Sequence, residues 1–205
     1  MSLAAPPATP GRPSPAGRRT QGGRVCAFIE THCVHPDGEL VGQPLLVHPW
    51  WRQVGYELFA LEEDGRRRYT EGYISVPKKN GKTTMLAAMG LYLLLADGDP
   101  AALVVSAAAT EEQGANLLYG AAKTMCQLSP GLRQLVEPYE RELLVPSLAR
   151  ARMRNVAGKA GPNDGLNAKA VLCDELHEWK GERGRANYQV LKGAVGARRN
   201  ALVLS

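Results

Sequence analysis

The spacing of apolar and polar positions divides the chain into a polar head and a globular remainder. Residues 1–24, "MSLAAPPATPGRPSPAGRRTQGGR", offer almost nothing to bury and are expected to form a disordered tail. From Val25 the pattern changes. "VCAFIETHCV" is an apolar stretch closed by the turn "HPDGE". In "PWWRQVGYELFALEE", Trp50, Val54 and Leu58 recur at helical spacing, with Trp51 and Phe59 flanking the same face. "DGRRRYTEG" reads as a turn into a short strand, "YISV", that stops at Pro77. The next segment, "KTTMLAAMGLYLLLA", is apolar on nearly every side, which predicts a buried helix, and Gly98 and Pro100 supply its stop.

Further along, "ALVVSA" has the β-branched character of a strand buried on both faces. "TEEQGAN" opens a helix reaching to about Met125 or Leu128, with Thr110 as its N-cap and Gln113 at the capping-box position. "ERELLVPSLARARMRNVAG" has the look of a hairpin, and "GKAGPNDGLN" that of a flexible loop. "AVLCDE" is another buried strand and ends in two acids. A helix is expected over "NYQVLKGAV" and a last strand in "NALVLS". Strands alternating with helices predict an α/β fold, a parallel sheet with helices on both faces. Sites in such sheets lie beyond the carboxyl ends of the strands. Two charged segments fall there: Pro77–Thr84 after "YISV", and Asp174–Glu175 after "AVLC".

Composition narrows this picture only a little. A length of 205 residues suits one domain, and 44% hydrophobic with 22% charged residues is ordinary for a globular protein. The formal net charge of +5 mildly favours a polyanionic partner. Cys26, Cys33, Cys126 and Cys173 show no framework spacing and read as reduced thiols of an intracellular protein. No apolar run approaches the roughly 20 residues that a membrane-spanning helix needs, so no membrane partner is expected.

The chemistry concentrates in the two charged segments. In "SVPKKNGKTTMLAA", Gly81 permits close approach of the backbone to a phosphate, and the helix that follows points its first N–H groups at the anion. Lys82 is placed to reach the β- and γ-phosphates, and the Thr83 hydroxyl to help hold Mg²⁺. Lys78 and Lys79 add positive charge. The glycine that opens the general phosphate-loop pattern is replaced by Val76, and Gly-Lys-Thr before a helix is common by itself. "VLCDEL" changes the balance. An apolar strand delivering two adjacent acids suits a nucleotide hydrolase, Asp174 for the metal and Glu175 to polarise the attacking water.

"VPKKNGKTT" resembles the variant phosphate loop of the large subunit of tailed-phage terminases, which commonly has a basic pair, Asn, Gly, Lys and then Ser or Thr, without the opening glycine. "FIETHCVHPDGELVGQPLLVHPW", "SAAATEEQGANLLYGAAKTM" and "GLNAKAVLCDELHEW" match the family in order, and the resemblance runs from about Phe28 to Ser205. It implies a RecA-like P-loop ATPase core in which residues 77–84 hold ATP, the ligand set being Pro77, Lys78, Lys79, Asn80, Gly81, Lys82, Thr83 and Thr84. It also implies Thr83 and Asp174 on Mg²⁺, with Lys82 and Glu175 catalytic. The expected role is to couple ATP hydrolysis to translocation of double-stranded DNA into a procapsid. The expected partners are a terminase small subunit, the portal protein and further copies of the chain in a ring, in the host cell cytoplasm. Lys78 or Lys79 stands where the family often has an arginine, keeping the charge and losing the bidentate fork.

Two departures from the family accompany the match. Trp51 stands where the family often places an adenine-reading Gln, leaving Trp51 by stacking, or Gln53, as alternatives. The last strand ends at Ser205, before the family's coupling motif and nuclease domain, so residues 25–205 are expected to be an incomplete ATPase domain without nuclease activity. A nucleotide-binding remnant without motor activity, or a P-loop ATPase of helicase type, are the other readings. Cys26, His32, Cys33 and His35 fit no standard zinc spacing. His177 is a candidate γ-phosphate sensor or a packing or surface residue, and Arg198 and Arg199 are candidates for an arginine finger to a neighbouring subunit.

Overall fold

Three strands that are buried on both faces set the architecture: β2 (Leu103–Ala108), β6 (Ala170–Cys173) and β7 (Leu202–Leu204). They run parallel, β6 between β2 and β7. In the computed structural model, which describes residues 19–108, 117–157, 166–196 and 198–205, they form the middle of a seven-stranded sheet. The other strands are β1 (Glu71–Gly72), β3 (Glu137–Pro138), β4 (Glu142–Val145) and β5 (Ala151–Ala157), and the order is β1-β7-β6-β2-β5-β4-β3. The strands from β1 to β5 in that order are parallel, while β4 and β3 are antiparallel. The sheet is therefore mixed rather than wholly parallel. The hairpin expected from "ERELLVPSLARARMRNVAG" is present, and its tight return forces β4 to run against β5.

Side-chain alternation along each strand sends one set of residues to each face. Val104, Leu172, Leu202 and Leu204 join a core with α1 (Gly22–His32), α2 (Pro49–Leu58), α3 (Lys82–Leu95) and α4 (Leu118–Leu128). The short helix α5 (Pro130–Arg133) adds Leu132 to it. Leu103, Val105, Val171, Cys173 and Val203 face the other side, under Leu191 of α6 (Gly181–Gly193) and Trp179. Helix α3 is buried from Met85 to Leu94, as its all-round apolarity predicts. All four cysteines are free and buried, and burial raises the thiol of Cys26 to about 11 and that of Cys173 to about 12. No helix among the described residues is long and apolar enough to cross a membrane.

Four expectations are corrected. The ordered chain begins before Val25: α1 starts at Gly22, and Thr20 Oγ1 donates to Tyr56 O at 2.6 Å while Gln21 N donates to Phe59 O at 2.9 Å. A Cβ at Gly22 would lie 2.4 Å from the Tyr56 Cα, so glycine lets α1 cross α2 backbone to backbone, a contact with no apolar signature. On α2 the buried face carries Trp51 and Gly55, continued by Phe59, and Trp50, Val54 and Leu58 are only partly buried. Strand β1 falls at Glu71–Gly72, ahead of "YISV"; β7 pairs with those two residues, and Ile74 N bonds Ser205 O at 2.7 Å before the chain leaves the sheet. Helix α6 begins six residues before "NYQVLKGAV", at Gly181, because its first two turns are polar and surface-facing. Thr110, Gln113 and the loop expected in "GKAGPNDGLN", up to residue 165, lie outside the described residues.

Candidate functional site

The chain leaves the carboxyl end of β1 as an extended segment, turns through residues 77–81 and enters α3 at Lys82. Gly81 is the N-cap, with φ 71° and ψ 22°, a left-handed conformation that glycine adopts without strain. Lys79 is also left-handed, at φ 66°. Asn80 Nδ2 donates to Pro77 O at 3.0 Å and closes the turn upon itself. From behind, the indole N–H of Trp51 donates to Asn80 O at 3.0 Å. Trp51 is 3% exposed and stacked on Trp50 with ring centroids 4.3 Å apart, so neither of its faces is open to a base. It braces the loop, and Gln53 is the exposed member of the two alternatives for adenine.

Strand β6 ends at Cys173, separated from β1 by β7, and delivers Asp174 and Glu175 beside this loop. Glu175 has φ 49° and ψ 46°, the left-handed region that a non-glycine residue enters at a cost. This bend lets successive acids both address Lys82. Lys82 Nζ lies 3.3 Å from Asp174 Oδ1 and 3.3 Å from Glu175 Oε1. Thr83 Oγ1 donates to Asp174 Oδ2 at 2.7 Å. Asp174 is 1% exposed, and the Glu175 amide donates to its Oδ1 at 3.0 Å. A buried carboxylate is stable only with such partners.

Pro77, Lys78, Lys79, Asn80, Gly81, Lys82, Thr83, Thr84 and Glu175 line one cavity of about 640 Å³, and Asp174 lies beneath it through its bonds to Thr83 and Lys82. All ten residues picked from the sequence therefore meet at one place. Lys78 and Lys79 are exposed and carry no carboxylate partner among the described residues. The cavity suits a phosphorylated ligand: loop amides, three lysines and a helix N-terminus converge on it. The Thr83 hydroxyl and Asp174 carboxylate are hard oxygen donors already in contact, a set that fits Mg²⁺. The rest of the lining is residues 73–76, Leu117 and His177. Tyr73 and Leu117 carried no sequence signal, since an isolated exposed aromatic or leucine is ordinary.

Arg198 and Arg199 lie elsewhere, in the loop that enters β7 at the opposite end of the sheet. Arg198 Nη1 pairs with Asp99 Oδ2 at 2.5 Å, and Arg199 Nη2 donates to Asp64 O at 3.1 Å. A second cavity of about 670 Å³ opens there, lined by Arg66, Arg67, Lys192 and these two arginines. Its cations are largely committed to Asp64, Asp97, Glu71 and Asp99. Cys26 and Cys33 pack in the core, and the His32 ring lies 5.1 Å from that of Phe28.

Comparison with known proteins places the chain in a family. Residues 49–204 match the family model described as "Terminase large subunit, ATPase domain". The terminase large subunit of Enterobacteria phage HK97 is 28% identical over 189 residues, which are 90% of this chain and 36% of that protein. The crystal structure of the HK97 large terminase superposes with a TM-score of 0.71 at 25% identity, covering 90% of this chain and 37% of the other. The chain thus spans little more than a third of the length of these relatives.

Proposed function

This chain belongs to the family of terminase large-subunit ATPase domains, and from that premise we propose that it binds ATP with Mg²⁺ in the 640 Å³ cavity and hydrolyses it. One observation carries the reading: Lys82 and Thr83, from the start of α3, touch Asp174 and Glu175, from the end of β6, across an intervening strand. A phosphate site and an acid pair have no packing reason to meet in this way.

The roles follow from the contacts. The loop amides around Gly81 and the Lys82 ammonium hold the phosphates, Lys82 exchanging its contacts to the acids for contacts to phosphate oxygens. Thr83 and Asp174 would hold Mg²⁺, which when bound would offset charge on the phosphate oxygens. Glu175 orients a water against the γ-phosphorus and accepts its proton as the new P–O bond forms. The bond to the β–γ bridging oxygen breaks, and ADP and inorganic phosphate leave. General-base assistance of this kind contributes typically 10²–10⁴-fold. In the whole protein this turnover would drive double-stranded DNA into a procapsid, in a ring of copies on the portal with a small subunit. Those partners and the host cytoplasm are part of the proposal.

The test is Mg²⁺-dependent ATP hydrolysis by the chain beside Lys82→Ala and Glu175→Gln. We expect turnover to be lost in both, with nucleotide binding weakened in Lys82→Ala and retained in Glu175→Gln. Parent-like hydrolysis in either variant would remove the assignment.

A further inference from the structure

We propose that His177 is a positioning residue for Glu175, resting on the reading of Glu175 as general base: the imidazole holds the carboxylate in place, and Glu178 holds the imidazole. The two Glu175 oxygens have different partners. Oε1 lies 3.3 Å from Lys82 Nζ and Oε2 lies 3.2 Å from His177 Nδ1. The far ring nitrogen, His177 Nε2, is 3.2 Å from Glu178 Oε1, and Glu178 Oε2 is 3.6 Å from Lys180 Nζ. With both His177 ring nitrogens protonated, groups of alternating charge run from the phosphate loop through Glu175, His177 and Glu178 to Lys180. The backbone builds this run locally. Left-handed Glu175 is followed at once by the 3₁₀ turn Leu176–Glu178, closed by Glu178 N to Glu175 O at 2.8 Å. His177 lines the same cavity as Glu175.

The arrangement matters because Lys82 has two duties. Without nucleotide it neutralises Asp174 and Glu175; with nucleotide, its donors are needed by phosphate. Glu175 then loses its Oε1 anchor just when it must orient a water to within hydrogen-bond reach. His177 contacts the other oxygen, Oε2, so it is the anchor that remains when Lys82 turns to phosphate. A base oriented by a third group is a recurring design in activated sites. The alternative is a surface histidine meeting two acids, and exposed ion pairs contribute little to stability. Substitutions here should therefore leave the fold intact, and an effect on turnover is separable from an effect on folding.

The experiment uses the full chain with His177→Ala, His177→Asn and Glu178→Gln, beside Lys82→Ala and Glu175→Gln. In His177→Ala we expect kcat for ATP to fall about 10-fold or more, the scale of a misplaced reacting group, with KM within about twofold. His177→Asn, whose amide nitrogen replaces Nδ1, should recover most of the loss, and Glu178→Gln should fall between. A second readout needs no turnover: the ¹⁵N resonances of the His177 ring in the nucleotide-free chain should move on Glu175→Gln and on Glu178→Gln. Unmoved ring resonances, an unchanged kcat in His177→Ala, or a loss that Asn does not recover would each overturn the proposal. Parent-like hydrolysis in Lys82→Ala and Glu175→Gln would instead overturn the functional reading on which it rests.

Discussion

Gly81 shows how one residue's backbone decides a site. Its φ of 71° is open to glycine and strained for any L side chain, yet a Cβ there would meet no atom within 4 Å. Substitution therefore costs conformational energy without a clash. Alanine in the left-handed region costs about 1–2 kcal/mol. A loop that relaxes out of the strained conformation must be restored to it on binding, so Gly81→Ala should weaken ATP binding by about 5- to 30-fold, the same free energy read as an equilibrium constant. The rest of α3 is buried in the core and should not feel the change. Titration calorimetry beside a thermal melt would check both halves, since unchanged affinity with a lowered melting temperature would mean that the free and bound loops carry the strain alike. Glu175 is the converse case, a non-glycine residue in the same region, at the point where the chemistry is placed.

At the scale of elements, α2 and the phosphate loop are one unit. The Trp51 indole N–H to Asn80 O bond is the link; the Asn80 side chain, among the described residues, donates only within its loop, to Pro77 O and Lys78 O. Trp51→Phe keeps an aromatic ring in the core and removes the donor, so the expected loss is about 1 kcal/mol of stability with a raised KM for ATP. Urea unfolding and steady-state kinetics on the same sample would show it, and an unchanged KM would free the loop from α2. This link was hidden in the sequence for a definite reason. On α2, Trp50, Trp51, Val54 and Leu58 are all apolar, so periodicity admits two faces about 100° apart, and only contact with α1 and the loop selects Trp51. By contrast, α3, β2, β6 and β7 were legible because an element buried all round has no face to choose. The phosphate-loop and acid-pair residues were legible too, because their chemistry is compact in sequence. The brace behind them was not, because it is made by shape. Strand β1 and the start of α1 were misplaced for a related cause: two-residue pairing and backbone crossing leave no apolar trace.

Across the whole molecule, the two ends of the sheet are organised by charge in opposite ways. At the carboxyl ends, Lys82 faces two acids in an open cavity, and its contacts are free to exchange for phosphate. At the other end, Asp97 is enclosed between two cations, 2.6 Å from Arg67 Nη2 and 2.8 Å from Lys169 Nζ, with all three side chains almost fully buried. Arg67 also donates to the Asn200 carbonyl and lies 4.8 Å over the Phe59 ring, while Lys169 donates to Arg199 O. This cluster ties the turn before β1, the end of α3, the start of β6 and the loop into β7, four segments scattered through the sequence. Neither "DGRRRYTEG" nor "DGDP" signalled it, because each reads correctly as a turn when taken alone. Removing the shared carboxylate leaves two cations side by side without water. Breaking a buried pair in this way costs about 3–5 kcal/mol. Asp97→Ala should lower the urea midpoint accordingly with an unchanged slope, since the surface exposed on unfolding stays the same. Asp97→Asn, which keeps hydrogen-bonding oxygen but not the charge, should recover only part of the loss. A cost below about 1 kcal/mol would be that of a solvated surface pair and would mean that water reaches the cluster in the folded protein.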